Sequence, residues 1–151
     1  WDFVKQNIEH WDGPIICCLH RPLTSAGVTA NHGDQRIVRP IHDLLRKHVV
    51  LFLSGHEHSL MAMKPHGLHH QLIVGAGGHD RHPFNKGDKR LIWGTSKQHG
   101  ALRLVISPSH CYYEFRNLNN ESLFSAEWTR DGALRNHGRH KPSEWAAFKK
   151  S

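Results

Sequence analysis

Residues 49–60 read Val-Val-Leu-Phe-Leu-Ser-Gly-His-Glu-His-Ser-Leu, and they constrain the chain more than any other stretch. Val49 to Leu53 is a continuous apolar run, β-branched at its start, the pattern of a strand buried on both faces. Ser54 and Gly55 stop it. Gly55 permits a sharp turn and a close backbone approach to a ligand, and His56 and His58 follow two residues apart. In open α/β sheets the ligand crevice lies just beyond the carboxyl ends of strands, where this pair falls. Neutral imidazole is the commonest protein ligand for a transition metal. Two rings at this spacing in a loop can converge on one ion or reach two adjacent ones. The competing reading is a pair of solvated loop histidines, since the chain carries 16 in all. The succession of strand, glycine and His-x-His favours the metal role.

A second apolar run, Pro-Ile-Ile-Cys-Cys-Leu at 14–19, also ends on a histidine, His20, followed by Arg21, Pro22 and Leu23. Between the two runs, 34–48 has the pattern of a helix: Ile37, Ile41, Leu44 and Leu45 fall on one face of a 3.6-residue period. Pro40 fits only in its first turn, which moves the start toward Arg39. Strand, helix and strand with a histidine at each strand's carboxyl end form a βαβ unit facing one crevice.

Those residues carry a resemblance. Leu19-His20-Arg21-Pro22-Leu23 and Ser54-Gly55-His56-Glu57-His58 resemble the last two metal motifs of the calcineurin-like metallophosphoesterases, and the spacing with its intervening helix resembles the purple acid phosphatase branch. Leu72-Ile73-Val74-Gly75-Ala76-Gly77-Gly78 resembles the strand and glycine turn that follow in that branch. The likeness spans about 14–128. Glu57 stands where the family often has Asp, and Arg21 replaces the more usual His, Tyr or Ser. The earlier motifs (Asp-x-His, Gly-Asp-x-x-Asp and Gly-Asn-His-Asp/Glu) are missing. Asn31-His32-Gly33-Asp34 has similar letters in the wrong order and place, and reads as a decoy.

The resemblance implies an α/β fold, the C-terminal half of a four-layer αββα sandwich, and a metal-dependent phosphoester hydrolase with two divalent or trivalent ions (Fe, Mn or Zn). It makes His20 and His56 ligands of one metal and His58 a ligand of the other. The bridging carboxylate, the asparagine ligand and the catalytic histidine belong to a missing N-terminal half of the same domain. Glu57, between the ligands, points away. The family also implies a secreted or extracytoplasmic setting.

Composition sets outer bounds. At 151 residues and 38% hydrophobic, the chain supports one modest core. No apolar run approaches the ~20 residues that cross a bilayer, so no membrane role is expected. The chain opens on Trp1, without an initiator Met, and the expectation is a processed product or a piece of something longer. The net charge of +7 suits an anionic substrate. Its basic residues are scattered, with no nucleic-acid module beside them, so a solvated surface is favoured over nucleic-acid binding. Three cysteines, two of them adjacent at Cys17 and Cys18, define neither a disulfide framework nor a thiolate zinc cluster. Asn120-Glu121-Ser122 fits the glycosylation pattern, which is too short to fix a compartment.

Elsewhere the pattern predicts an amphipathic helix over 1–11, with Trp1, Val4, Ile8 and Trp11 on one face. A small polar loop, 24–33, is expected to rim the site. Strands are expected at 60–63 and 72–74, with His66, His69 and His70 as ordinary exposed histidines around a turn at 65–67. A long polar loop follows at 75–97. Hairpins then form a second sheet from 101–106, 111–116 and 123–128, with Cys111, Tyr113 and Phe115 on one face and Phe124, Ala126 and Trp128 likewise. The metallophosphoesterase portion would thus span 1–130. Residues 131–151 read as a basic C-terminal tail with a short helix capped by Ser143. Two other classes compete: a cupin-like single-metal barrel, disfavoured because no Glu follows the His-x-His at 59–64, and a basic non-enzymatic binding module.

Overall fold

The structure, a computed structural model, describes residues 1–13, 15–27, 42–64, 70–107, 110–129 and 134–138. The start of the predicted helix at 34–41, the decoy at 31–34, the turn at 65–67 with His66 and His69, and the predicted helix near Ser143 lie outside them. The chain divides into two compact units, Trp1–His99 and Gly100–Ser151.

In the first unit, α1 (Asp2–Glu9) precedes β1 (Ile15–Leu19), and α2 (His42–His48) leads directly into β2 (Val49–Ser54). β1 and β2 run parallel, with Leu19 opposite Ser54. β3 (Leu60–Met63), β4 (His70–Val74) and β5 (Leu91–Thr95) complete a five-stranded sheet of order β1-β2-β4-β3-β5. β4 is parallel to β2, and β3 is antiparallel to both β4 and β5. The predicted βαβ unit is therefore present. The parallel β1-β2-β4 core is not the antiparallel jelly roll of a cupin barrel.

Burial follows position in the sheet. Met61 and Met63 alternate with Leu60 and Ala62 along β3, and all four are buried, so this interior strand is covered on both faces. The edge strands β1 and β5 are only partly buried. Ile8 of α1 and Leu45 of α2 pack with Leu23, Val49 and Phe52, while Ala26, Met61, Met63 and Ile73 form a second cluster. Burial of such side chains contributes about 1.5–3 kcal/mol each. Trp1 and Trp11, predicted on the buried face of the first helix, are 47% and 60% exposed. The helix stops at Glu9, so Trp11 is no longer carried round by its period.

Three further features of this unit differ from the pattern-based expectation. The predicted loop 75–97 contains β5, a Leu-Ile-Trp strand at the sheet edge. Flanking polar residues and its position as an edge strand hide it in sequence. His70 is 3% exposed at the start of β4, not a surface histidine. Pro22 to Ala26 are buried, so the described part of the loop after His20 is tied down and does not form an open rim.

The second unit is an antiparallel sheet of order β6-β7-β8-β9, from β6 (Gly100–Ile106), β7 (His110–Asn117), β8 (Ser122–Thr129) and β9 (Leu134–Gly138). β9 extends the sheet past residue 130, where the sequence pattern predicts a tail. β7 is buried continuously from Cys111 to Phe115, not on alternate residues, and its buried Glu114 is paired with Arg116 at 2.9 Å. Tyr113 packs against Phe115, Phe124 and Trp128 at ring separations of 6.2–6.3 Å. Burial pushes the Cys111 thiol up to about 12, which leaves it an inert, protonated filler. The β7–β8 turn carries Asn120 at φ 61°, exposed.

Candidate metal centre

The parallel register brings the carboxyl ends of β1, β2 and β4 level: Leu19 lies opposite Ser54, and Ser54 opposite Ile73. His20 therefore emerges beside Gly55, whose N–H donates to the His20 carbonyl at 3.1 Å. The chain must then pass from β2 to β3, two positions away, so residues 55–59 arch across the end of β4. The arch is drawn tight by two bonds between residues two apart, Glu57 N–H to Gly55 O and Ser59 N–H to Glu57 O, each 2.7 Å. His56 is the centre of the first of these γ-turns and has φ 63°. A positive φ on a residue with a Cβ is a strained conformation that the surroundings must enforce, and such strain clusters at functional sites.

The strained turn aims the His56 ring at His20. His56 Nδ1 and His20 Nε2 lie 3.3 Å apart, with the rings edge to face at 5.2 Å. An ion bonded to both nitrogens across this 3.3 Å gap at ~2.1 Å each would see them at about 105°, close to the tetrahedral angle. Loss of water contact first, then the charge of Arg21 and the neighbouring His20 ring, holds the His56 pKa below the ordinary 6.5, against a smaller opposing effect of Glu57. His56 is thus a neutral imidazole at pH 7, the form that ligates a metal.

His58 does not join that pair. Its Nδ1 faces the Asp80 carbonyl at 2.7 Å, which fixes Nδ1 as the protonated nitrogen and leaves Nε2 with its lone pair. Its ring touches His82, stacked at 4.2 Å, and His79, tilted at 4.4 Å. So the structure brings His20 and His56 together and sets His58 apart. Among the described residues no group of three His, Cys, Asp or Glu side chains is placed to hold an ion. Glu57 is 1% exposed and turned into the protein against Gly27, where a Cβ would lie 2.0 Å from its Oε2.

Sequence reasoning missed the residues that hold His20 in place. Gln71, fully buried in β4, accepts N–H bonds from Leu23 at 2.8 Å and Thr24 at 3.3 Å and donates to the Thr24 carbonyl. Arg90, paired with Asp88 at 2.6 Å, donates to the Thr24 hydroxyl. Asn85 N–H bonds the Ala26 carbonyl at 2.7 Å. The one available signal was a glutamine leading into the apolar run Leu72 to Val74 of a buried strand. Gln71→Leu keeps the bulk but leaves three buried backbone groups unpaired, at about 1–3 kcal/mol each. A loss of about 3 kcal/mol or more is expected in urea unfolding. Thr24→Val, which removes only the Arg90 contact, should cost about 1 kcal/mol. Equal effects of the two would refute the latch.

Parallel strand ends that converge on His20 and His56, in a chain of mostly strands in two sheets with few helices, match a part of an α/β phosphatase-like fold. Solved structures similar to this chain include GAP50, the anchor in the inner membrane complex of Plasmodium, with a TM-score of 0.70 and 16% identity. PhoD is similar with a TM-score of 0.68 and 11% identity. Each likeness covers 93% of this chain, which spans 42% of the GAP50 chain and 34% of the PhoD chain. No protein-family model and no curated protein matches the chain. No helix among the described residues is long and apolar enough to cross a membrane.

Proposed function

We propose that this chain contributes the late histidine ligands to a dinuclear, metal-dependent phosphoester hydrolase. The observation that carries the reading is the 3.3 Å approach of His56 Nδ1 to His20 Nε2 at the carboxyl ends of adjacent parallel strands. His20 and His56 hold one ion. His58, oriented by the Asp80 carbonyl, offers Nε2 to the other. When bound, the two ions supply Lewis acidity and lower the pKa of water enough to make a nucleophile near neutral pH. Arg21, exposed beside the pair, adds positive charge for a phosphoester. The carboxylates that balance the ions come from outside the described residues, from an N-terminal half of the same domain. An extracytoplasmic setting, no membrane insertion and no nucleic-acid partner go with this reading.

The likeness to GAP50 supports a second reading, in which the fold serves as an anchor and the histidines hold nothing. Metal counting separates the two. In the protein carrying the full ligand set, anomalous scattering should find two ions. His20→Ala and His56→Ala should empty one position, and His58→Ala the other. Loss of the same single ion from His56→Ala and His58→Ala would overturn the assignment, and an absence of bound ions would favour the anchor.

A further inference from the structure

We propose that residues 80–82 form a clamp on His58, with His82 as the positioning residue that keeps the His58 ring turned so that Nε2 faces outward as a ligand. The inference rests on the reading of His58 as a ligand, and it concerns residues that no family motif in this chain includes. Four contacts meet on His58, the last of them the His79 ring, which is tilted at 46° and 4.4 Å and does not lie flat against it. The Asp80 carbonyl accepts from Nδ1–H at 2.7 Å, and the His82 N–H donates to the His58 carbonyl at 3.2 Å. The His82 ring lies on the His58 ring at 4.2 Å with 23° between planes.

The first two contacts are to backbone atoms of the clamp and survive substitution of its side chains. The Asp80 bond favours one orientation about the Cβ–Cγ bond, but a single exposed hydrogen bond contributes too little to hold one tautomer alone. Rotation by half a turn would break the Asp80 bond and present a carbon in place of Nδ1. A flat ring stacked alongside opposes that rotation. His82 Nδ1 is itself buried and makes no hydrogen bond among the described residues, so the ring serves there as a surface and not as a donor. Pro83 adds to the arrangement, because a residue before proline is biased toward extended backbone, which limits the conformations open to His82. Groups that orient a ligating histidine typically change metal affinity by about 10–100-fold when removed.

The test uses the 151-residue chain labelled with 15N-histidine, at a pH where its rings are neutral. In the unsubstituted chain His58 should give a single Nδ1–H tautomer in long-range 1H–15N spectra. His82→Ala should give a mixture of tautomers with the remaining amide spectrum unchanged. His82→Phe, which keeps a flat ring and removes the unpaired nitrogen, should restore the single tautomer. In the protein carrying the full ligand set, zinc affinity at the position His58 serves should weaken about tenfold or more in His82→Ala and recover in His82→Phe. A single tautomer persisting in His82→Ala, or no recovery in His82→Phe, would overturn the clamp. Should the protein with the full ligand set hold no ion at His58 in any variant, the ligand reading fails, and the tautomer comparison in the 151-residue chain still decides the clamp. If His82→Ala perturbs amides throughout the first unit, the ring is a packing element and the positioning role is overturned.

Discussion

Gly75→Ala should destabilise the first unit by about 3 kcal/mol, at the upper end of what overpacking usually costs, and should displace the His-x-His turn. The cause is the path of the chain. Because β4 lies between β2 and β3, the 55–59 arch crosses the end of β4, and the residue leaving β4 must pass beneath it. That residue is Gly75. Its N–H donates to Ser59 O at 3.1 Å, and a Cβ there would lie 1.8 Å from Glu57 O and 2.7 Å from the Glu57 carbonyl carbon. The obstacle is backbone, which no side-chain rotation can clear. Gly77 and Gly78 have nothing within 4 Å of such a Cβ. Alanine at either should change stability by less than about 0.5 kcal/mol. Urea midpoints for the three variants check this. A Gly75→Ala midpoint matching that of Gly77→Ala would mean the arch does not press on β4.

This crossing explains what was and was not legible in sequence. Val49 to Leu53 and the Gly-His-Glu-His that follows announce a strand and its turn through local composition, and the βαβ unit follows from local periodicity. The role of Gly75 depends on strand order. Nothing in Gly-Ala-Gly-Gly distinguishes a glycine needed for a backbone crossing from two that are not. Gln71 was hidden for a similar reason: its three hydrogen bonds go to residues 47 and 48 positions earlier. The pairing of His20 with His56 was legible because each sits at the end of its own strand. The contacts of His58 with Asp80 and His82 were not, since they depend on how a polar loop folds back. β5 and β9 were missed because short strands at sheet edges need no sustained apolar pattern.

The isolated 151 residues should not hydrolyse an aryl phosphate above background with any divalent metal supplied. Two doubly charged ions ~4 Å apart repel by about 16 kcal/mol at an effective dielectric of ~20. In dinuclear sites carboxylates offset that repulsion. Here the candidate ligands are three imidazoles, His20, His56 and His58, and among the described residues no group of three His, Cys, Asp or Glu side chains is placed to hold an ion. Glu57, the nearest acid in sequence, is buried with its carboxylate against Gly27. Neutral rings bring no charge, so the pair of ions cannot be held together, and one ion on His20 and His56 is the most the chain should bind. Calorimetric titration with zinc or manganese should therefore give no more than one ion per chain, and that binding should vanish in His56→Ala. The same preparations, folded by circular dichroism, should show equal and negligible turnover of the aryl phosphate. Metal-dependent hydrolysis by the unsubstituted chain that disappears in His56→Ala would show that these histidines suffice alone, and that the carboxylate requirement is wrong.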